Sequence, residues 1–106
     1  MKFIKTKFFE EQVKKLKNKY LKIEKDILKF ENDFEIEPFS DLWWNIFKYR
    51  IRNSSIPVWK RGWFRIILKK YNNIILPLII YSKTIKENVS DIEIIEALEK
   101  VLKEIN

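Results

Sequence analysis

The sequence of 106 residues contains neither cysteine nor histidine, and it has a single glycine. Without thiols, a disulfide framework and a thiolate zinc site are excluded, and without imidazoles the usual zinc, iron and copper sites are also missing. We therefore expect neither a metal nor a small-molecule cofactor. Histidine is also missing as an acid or base near neutral pH, so any proton transfer must use another side chain.

Long apolar segments are scarce as well. No run approaches the ~18 apolar residues of a membrane span, and the first residues, "MKFIKTKFFEEQVKKLK", carry a charge every few positions, unlike a signal peptide. The expected location is the cytoplasm, without a membrane partner. With 46% hydrophobic and 15% aromatic residues, the chain is predicted to form one globular domain over residues 1–106.

Carboxylates are absent from the 45 residues between Leu42 and Lys86, which carry ten cations. The whole chain has a net charge of +7, which is less than the net charge of +10 in this segment, because acidic residues are in excess in the rest of the chain. A surface that is only solvated usually mixes both signs. The segment therefore predicts a binding site for an anion.

Local patterns predict an α+β fold with the order strand, two helices, three strands and helix. Thr6 is placed as the N-cap of a first helix, and a second apolar stripe begins at Ile23. The two helices are expected to form a hairpin, with Lys22 and Asp26 as an exposed ion pair four residues apart. This N-terminal strand and helical hairpin would pack on a small antiparallel sheet.

From Asn45 onward the hydrophobic period changes to two, which indicates strands. In the first, an apolar face alternates with a cationic one, and the second repeats the arrangement around Arg65. The third run, "IILPLIIYSK", is apolar throughout and predicts a strand covered on both faces, with Pro77 implying an edge or a bulge. Ser90 and Glu93 have the spacing of a capping box, so residues 90–106 are predicted to form an amphipathic helix.

If the first two of these strands pair, their basic residues form one cationic floor, namely Lys48, Arg50, Arg52 and Arg65. The loop "WKRGW" adds cations beside tryptophans, and Lys83 and Lys86 follow the third strand. Cations interleaved with aromatic rings suit a single-stranded nucleic acid, because guanidinium groups bind phosphates while rings stack on bases. Two plainer interpretations remain: the basic face is simply solvated, and Trp59 and Trp63 only pack the fold.

Other aromatic residues have structural interpretations too. Trp43 and Trp44 are expected to act as a lid or to join the core. Tyr81 is expected to be a strand residue whose hydroxyl reaches the surface rather than a catalytic phenol.

The succession "YRIRN", "KRGWFRIIL" and "IILPLIIYSKTIKENVSDIEI" resembles the RelE/ParE superfamily of type II toxin-antitoxin toxins, especially its RelE and HigB-like branch. The resemblance covers the whole chain, because that family also opens with a strand and a helical hairpin. It implies an α+β toxin that binds mRNA in the ribosomal decoding site and cleaves it. The implied partners are mRNA, the ribosome and a cognate antitoxin that silences the toxin by binding across it.

The resemblance places the main basic positions of the family on Arg50, Arg52, Arg65 and Lys83. These are the candidate catalytic residues, and the candidate RNA-binding residues around them are Lys48, Lys60, Arg61, Trp63 and Lys86. The lysines that serve acid-base roles in the RelE strand are arginines here, which leaves four candidate proton carriers: Lys48, Lys60, Lys83 and Lys86. Tryptophans occupy the glycine positions of the family at the strand entrance.

The chemistry of RNA cleavage fits this basic set. The 2′-hydroxyl must lose a proton, the charge on the phosphorane must be neutralised, and the leaving 5′-oxygen must gain a proton. Fixed cations supply the second function, and they can depress the pKa of a neighbouring lysine enough to make it a base, whereas arginine stays protonated. Two alternatives remain open: a ParE-like inhibitor of DNA gyrase and a basic RNA-binding module without catalysis.

Overall fold

The computed structural model describes residues 2–35, 41–60 and 62–106. Its five strands are Lys2–Phe3 (β1), Asp41–Trp43 (β2), Ile46–Arg52 (β3), Trp63–Tyr71 (β4) and Ile74–Ser82 (β5). Its three helices are Lys7–Lys17 (α1), Ile23–Asn32 (α2) and Asp91–Ile105 (α3), and a short 3-10 helix spans Val58–Lys60. The α+β class and the C-terminal helix are thus confirmed.

The strands form one sheet with the order β1-β5-β4-β3-β2. The sheet is mixed, because β1 runs parallel to β5 while the other neighbours are antiparallel. The prediction of an antiparallel sheet was therefore wrong for β1, whose partner lies far along the chain and leaves no local signal. The predicted order also omitted β2, a strand of three residues that is too short to show a period.

Both predicted helix starts that rest on a side-chain cap are confirmed. The hydroxyl of Thr6 accepts a hydrogen bond from the Phe9 amide at 3.3 Å. At α3, the Ser90 hydroxyl accepts from the Glu93 amide at 3.2 Å, and the Glu93 carboxylate accepts in turn from the Ser90 amide at 3.3 Å. A further hydrogen bond from Lys86, together with the one from the Ser90 amide, lowers the pKa of Glu93 below its ordinary value.

The predicted ion pair between Lys22 and Asp26 was wrong. Asp26 is only 8% exposed, and its carboxylate accepts hydrogen bonds from the Ser54 amide at 3.0 Å and the Ser54 hydroxyl at 2.5 Å. Two hydrogen bonds within the protein stabilise a buried carboxylate more than one exposed lysine on the same helix would. Asp26 thereby ties α2 to the loop that follows β3.

Two hydrophobic cores lie on opposite faces of the sheet. The first packs α1 and α2 against one face and includes Phe9, Ile23, Phe64, Ile66 and Leu68. The second packs α3 against the other face and includes Ile46, Ile67, Leu76, Ile94 and Val101. Because β4 and β5 contribute to both cores, the predicted burial of the third strand on both faces is confirmed.

Pro77 lies at a bulge, which was one of its two predicted settings. Along β4 and β5, Ile67 pairs with Ile79 and Leu68 pairs with Pro77, so Leu78 is the additional residue of β5. Pro77 is itself buried within a strand that has neighbours on both sides. The bulge accommodates its missing amide hydrogen inside the ladder.

The two adjacent tryptophans differ in their environment. Trp43 is half-buried and packs against the α3 core, whereas Trp44 is 73% exposed in the turn between β2 and β3. One of them therefore joins the core, as expected. Within the described parts of the chain, no helix combines the length and the apolar character needed to cross a membrane.

Replacing Ser90 with alanine should lower the free energy of unfolding by about 1 kcal/mol, because the Glu93 amide loses its capping partner. Chemical denaturation followed by circular dichroism measures this change. Glu99→Ala is the matched control in the exposed middle of α3, and it should change stability by less than about 0.5 kcal/mol. An equal loss in both variants would show that the cap does not stabilise the helix.

Candidate nucleic-acid interface

The pairing of β3 with β4 gathers basic side chains on one face of the sheet. Arg50 lies directly opposite Arg65, and Arg52 lies opposite Trp63. Directly paired residues of antiparallel strands project to the same face, and residues two apart on one strand do so as well. We call the resulting surface the cationic face, and it consists of Lys48, Arg50, Arg52, Trp63 and Arg65.

The cationic face lies on the same side of the sheet as α3. Ile46 and Ile67 share this side, and both are buried in the α3 core. Since Ile46 begins β3 and Arg52 ends it, α3 covers one end of the strand and leaves the other end to the basic residues. Apolar residues under the helix and basic residues beyond it thus divide one sheet face into two parts.

The charges of the cationic face have no acidic partner among the described residues. The ion pairs among the described residues lie outside the cationic face. They are Lys5 with Glu31, Lys17 with Glu24, Lys29 with Asp33 and Lys86 with Glu93. Opposed side chains such as Arg50 and Arg65 have Cβ atoms about 4.5–5.5 Å apart, so their like charges repel. An external anion would relieve this repulsion.

A pocket of about 340 Å³ opens between the cationic face and the end of β5. Its lining consists of Arg50, Gly62, Trp63, Arg65, Lys83 and Thr84. We call it the arginine pocket. Its volume falls within the ~300–1,000 Å³ typical of small-molecule sites. Three of the four predicted catalytic residues therefore meet in one cavity, and the fourth, Arg52, lies beside it on β3.

Trp63 and Trp59 have different roles in the structure. The guanidinium groups of Arg50 and Arg52 lie 5.1 Å and 5.7 Å from the centre of the Trp63 ring, which is cation-π distance. Trp63 therefore holds the two arginines. Trp59 is 77% exposed in the 3-10 helix, and the Lys60 ammonium lies 5.3 Å from the centre of its ring. Arg61 lies outside the described residues.

The loop that carries Trp59 is fixed at its base. The buried Asn53 donates its amide hydrogen to the Gly62 carbonyl at 3.2 Å, and Ser54 is held by Asp26. A Cβ atom on Gly62 would fall 1.5 Å from Cδ1 of Ile56, which packs against the first core. Because Gly62, the only glycine of the sequence, has no Cβ atom, the side chain of Ile56 can pack beneath the loop.

The segment around Lys83 is held by Tyr20, which lies in the connection between α1 and α2. The hydroxyl of Tyr20 lies 3.2 Å from the Ser82 hydroxyl and 3.3 Å from that of Thr84, and the latter two are 2.8 Å apart. Burial raises the pKa of Tyr20, but hydrogen bonds with Ser82 and Thr84 and the charge of Lys19 outweigh it and leave the pKa below its ordinary value. In the sequence, Tyr20 follows Val13 and Leu16 at helical spacing, which indicates an apolar helix position and gives no sign of these hydrogen bonds.

Lys86 is placed apart from the arginine pocket. Its ammonium group is hydrogen-bonded to Glu93, and it lines a separate cleft of about 270 Å³ between α1, β5 and α3. Tyr81 lines the same cleft, and its hydroxyl is buried rather than at the surface, so that prediction was wrong. The physical reason is that Tyr81 belongs to the second core, which also contains Ile94 and Ala97 of α3.

The fold and this face define an α+β domain with a cationic surface on one side of its sheet. Among the described residues, no three acidic side chains come together as potential metal ligands. Comparison with protein-family models and with curated proteins finds no match to this sequence.

Replacing Arg50 with glutamine should raise the free energy of unfolding by about 0.2–1 kcal/mol at low ionic strength, because it removes the like-charge pair with Arg65. The difference should shrink near 1 M salt, where the screening length falls to about 3 Å. Urea denaturation at low and high ionic strength measures both effects, with Lys14→Gln on exposed α1 as the control. A loss of stability at both ionic strengths would mean that the contact with Trp63 outweighs the repulsion.

Proposed function

We propose that this protein is the toxin of a type II toxin-antitoxin system and that it cleaves mRNA on the ribosome, like the RelE and HigB-like toxins it resembles. The observation that carries the proposal is the opposition of Arg50 and Arg65 in a pocket that also contains Lys83. An α+β fold with a C-terminal helix is consistent with that resemblance. The proposal includes a cytoplasmic location.

In the proposed reaction, the 2′-oxygen of a ribose forms a bond to the adjacent phosphorus and the bond to the 5′-oxygen breaks. The products are a fragment ending in a 2′,3′-cyclic phosphate and a fragment with a free 5′-hydroxyl. Arg50 and Arg65 neutralise the negative charge that develops on the phosphorane. Strand pairing fixes the positions of both residues, and Trp63 also holds Arg50, so they need little rearrangement as the charge develops.

The protons require a group that can exist in both protonation states, which arginine cannot provide near neutral pH. Of the four candidate lysines, Lys83 lines the arginine pocket, whereas Lys86 is bonded to Glu93 in the separate cleft. We assign Lys83 as the proton carrier. Lys48 and Arg52 would bind neighbouring phosphates along β3, and Lys60 would do so from the loop.

The cationic face also indicates the chemistry of the proposed partners. A single strand of RNA offers phosphates to the cationic face and unstacked bases to exposed rings. The proposed antitoxin binds across the toxin, and its contact with the cationic face would have to be acidic to match the charge there.

Expression of the protein without an antitoxin should arrest growth and translation, and Arg65→Ala should restore growth. The reason is that the variant loses a cation that stabilises the phosphorane. Growth curves and mapping of mRNA ends in ribosome preparations measure the two effects. Lys14→Ala, which removes an equal charge from exposed α1, should remain toxic.

A folded Arg65→Ala variant that stays toxic would contradict the proposed site. Intact mRNA together with inhibited DNA gyrase would instead favour the ParE-like alternative. Salt-dependent RNA binding without cleavage, with and without ribosomes, would favour a non-catalytic RNA-binding module.

Lys83→Met should lower the cleavage rate at least ~100-fold, as expected for loss of a general acid or base, while the affinity for RNA falls far less. Single-turnover cleavage on programmed ribosomes gives the rate, and fluorescence anisotropy gives the affinity. Lys60→Met on the loop is the comparison, since it should weaken binding without abolishing cleavage. Equal rates for the wild type and Lys83→Met would reject Lys83 as the proton carrier.

A further inference from the structure

Two buried polar atoms on neighbouring strands have no hydrogen-bond partner among the described residues. They are the hydroxyl oxygen of Tyr81 and Nη1 of Arg65. The two residues are directly paired across β4 and β5, so their side chains share a face. A third such atom, Oε1 of Glu31, differs from them because it lies 2.8 Å from the ammonium of Lys5 and has an ionic partner there.

A buried hydroxyl without a partner destabilises a protein, because it has lost its hydrogen bonds to water and gained none. Tyr81 is only 5% exposed, so solvent does not compensate this loss. Phenylalanine would fill nearly the same volume without the penalty. The hydroxyl therefore points to a partner that is not part of the described protein.

The surroundings of Tyr81 indicate the charge of that partner. Arg65 lies beside it, and the ammonium of Lys48 lies 6.0 Å from the centre of its ring. Hydroxyl and guanidinium hydrogens are both donors, so the pair can offer two hydrogen bonds to one acceptor. An anionic oxygen is the acceptor that two donors and two positive charges favour.

We propose that Tyr81 and Arg65 together bind one phosphate oxygen, with Tyr81 as a further phosphate-binding residue of the cationic face. The inference rests on the proposed function, in which that oxygen belongs to a phosphodiester of single-stranded RNA. The half-buried Lys48 lies over the ring, so the proposed binding requires its flexible side chain to move when the phosphate enters. The buried donors are then satisfied only in the bound state.

The test compares wild type with Tyr81→Phe, which removes the hydroxyl alone. In the ligand-free protein, Tyr81→Phe should unfold at the same temperature as wild type or at a higher one. Its affinity for a single-stranded 2′-O-methyl oligonucleotide, which cannot be cleaved, should fall about tenfold or more, because a hydrogen bond to a charged group is lost. Fluorescence anisotropy and calorimetry measure the two quantities.

Tyr20→Phe is the matched control for stability. Its hydroxyl is bonded to Ser82 and Thr84, so this variant should unfold at a lower temperature than wild type. If Tyr81→Phe is destabilised to the same extent, the Tyr81 hydroxyl has a structural partner and the inference is wrong. Equal oligonucleotide affinities for wild type and Tyr81→Phe would also overturn it, while leaving the proposed function intact.

If wild type does not bind the oligonucleotide, inorganic phosphate tests the phosphate site of Tyr81 and Arg65 separately from the proposed function. At matched ionic strength, phosphate should raise the unfolding temperature of wild type and should not raise that of Tyr81→Phe. That result without oligonucleotide binding would keep the phosphate site and reject the proposed function. Equal shifts, or no shift in either protein, would reject the phosphate site.

Discussion

The pairing of Arg50 with Arg65 across β3 and β4 is the constraint around which the rest of the structure is arranged. Two like charges about 4 Å apart repel by roughly 1 kcal/mol in water and by more where water is partly excluded. Burial of one large apolar side chain contributes about 1.5–3 kcal/mol. Since β4 also places Phe64, Ile66 and Leu68 in the first core, hydrophobic burial easily maintains a pairing that electrostatics opposes.

Uneven coverage of the sheet turns this pairing into an accessible surface. The hairpin helices cover one face through apolar residues that alternate with the basic ones, while α3 covers only part of the other face. A helix over the whole face would bury the arginines without partners, at a cost far above that of their mutual repulsion. The position of α3 therefore determines both where the second core ends and where the cationic face begins.

The features that were predictable from the sequence are those whose causes lie within a few residues. Thr6 and Ser90 cap helices whose amides are three residues away, and the period of two along β3 fixes its apolar and basic sides. The parallel contact of β1, the partner of Asp26 and the burial of the Tyr81 hydroxyl depend on residues distant in the chain. No local pattern encodes such contacts, because they exist only after the helices dock.

Trp63 shows how an aromatic residue can serve a cationic surface without binding a base. A guanidinium is commonly fixed by a carboxylate, but that partner would neutralise the charge an anion needs. The ring of Trp63 attracts Arg50 and Arg52 through its quadrupole and leaves their net charges intact. The absence of acids from residues 42–86 and the presence of Trp63 are therefore complementary: together they keep the arginines ordered and still available to a phosphate.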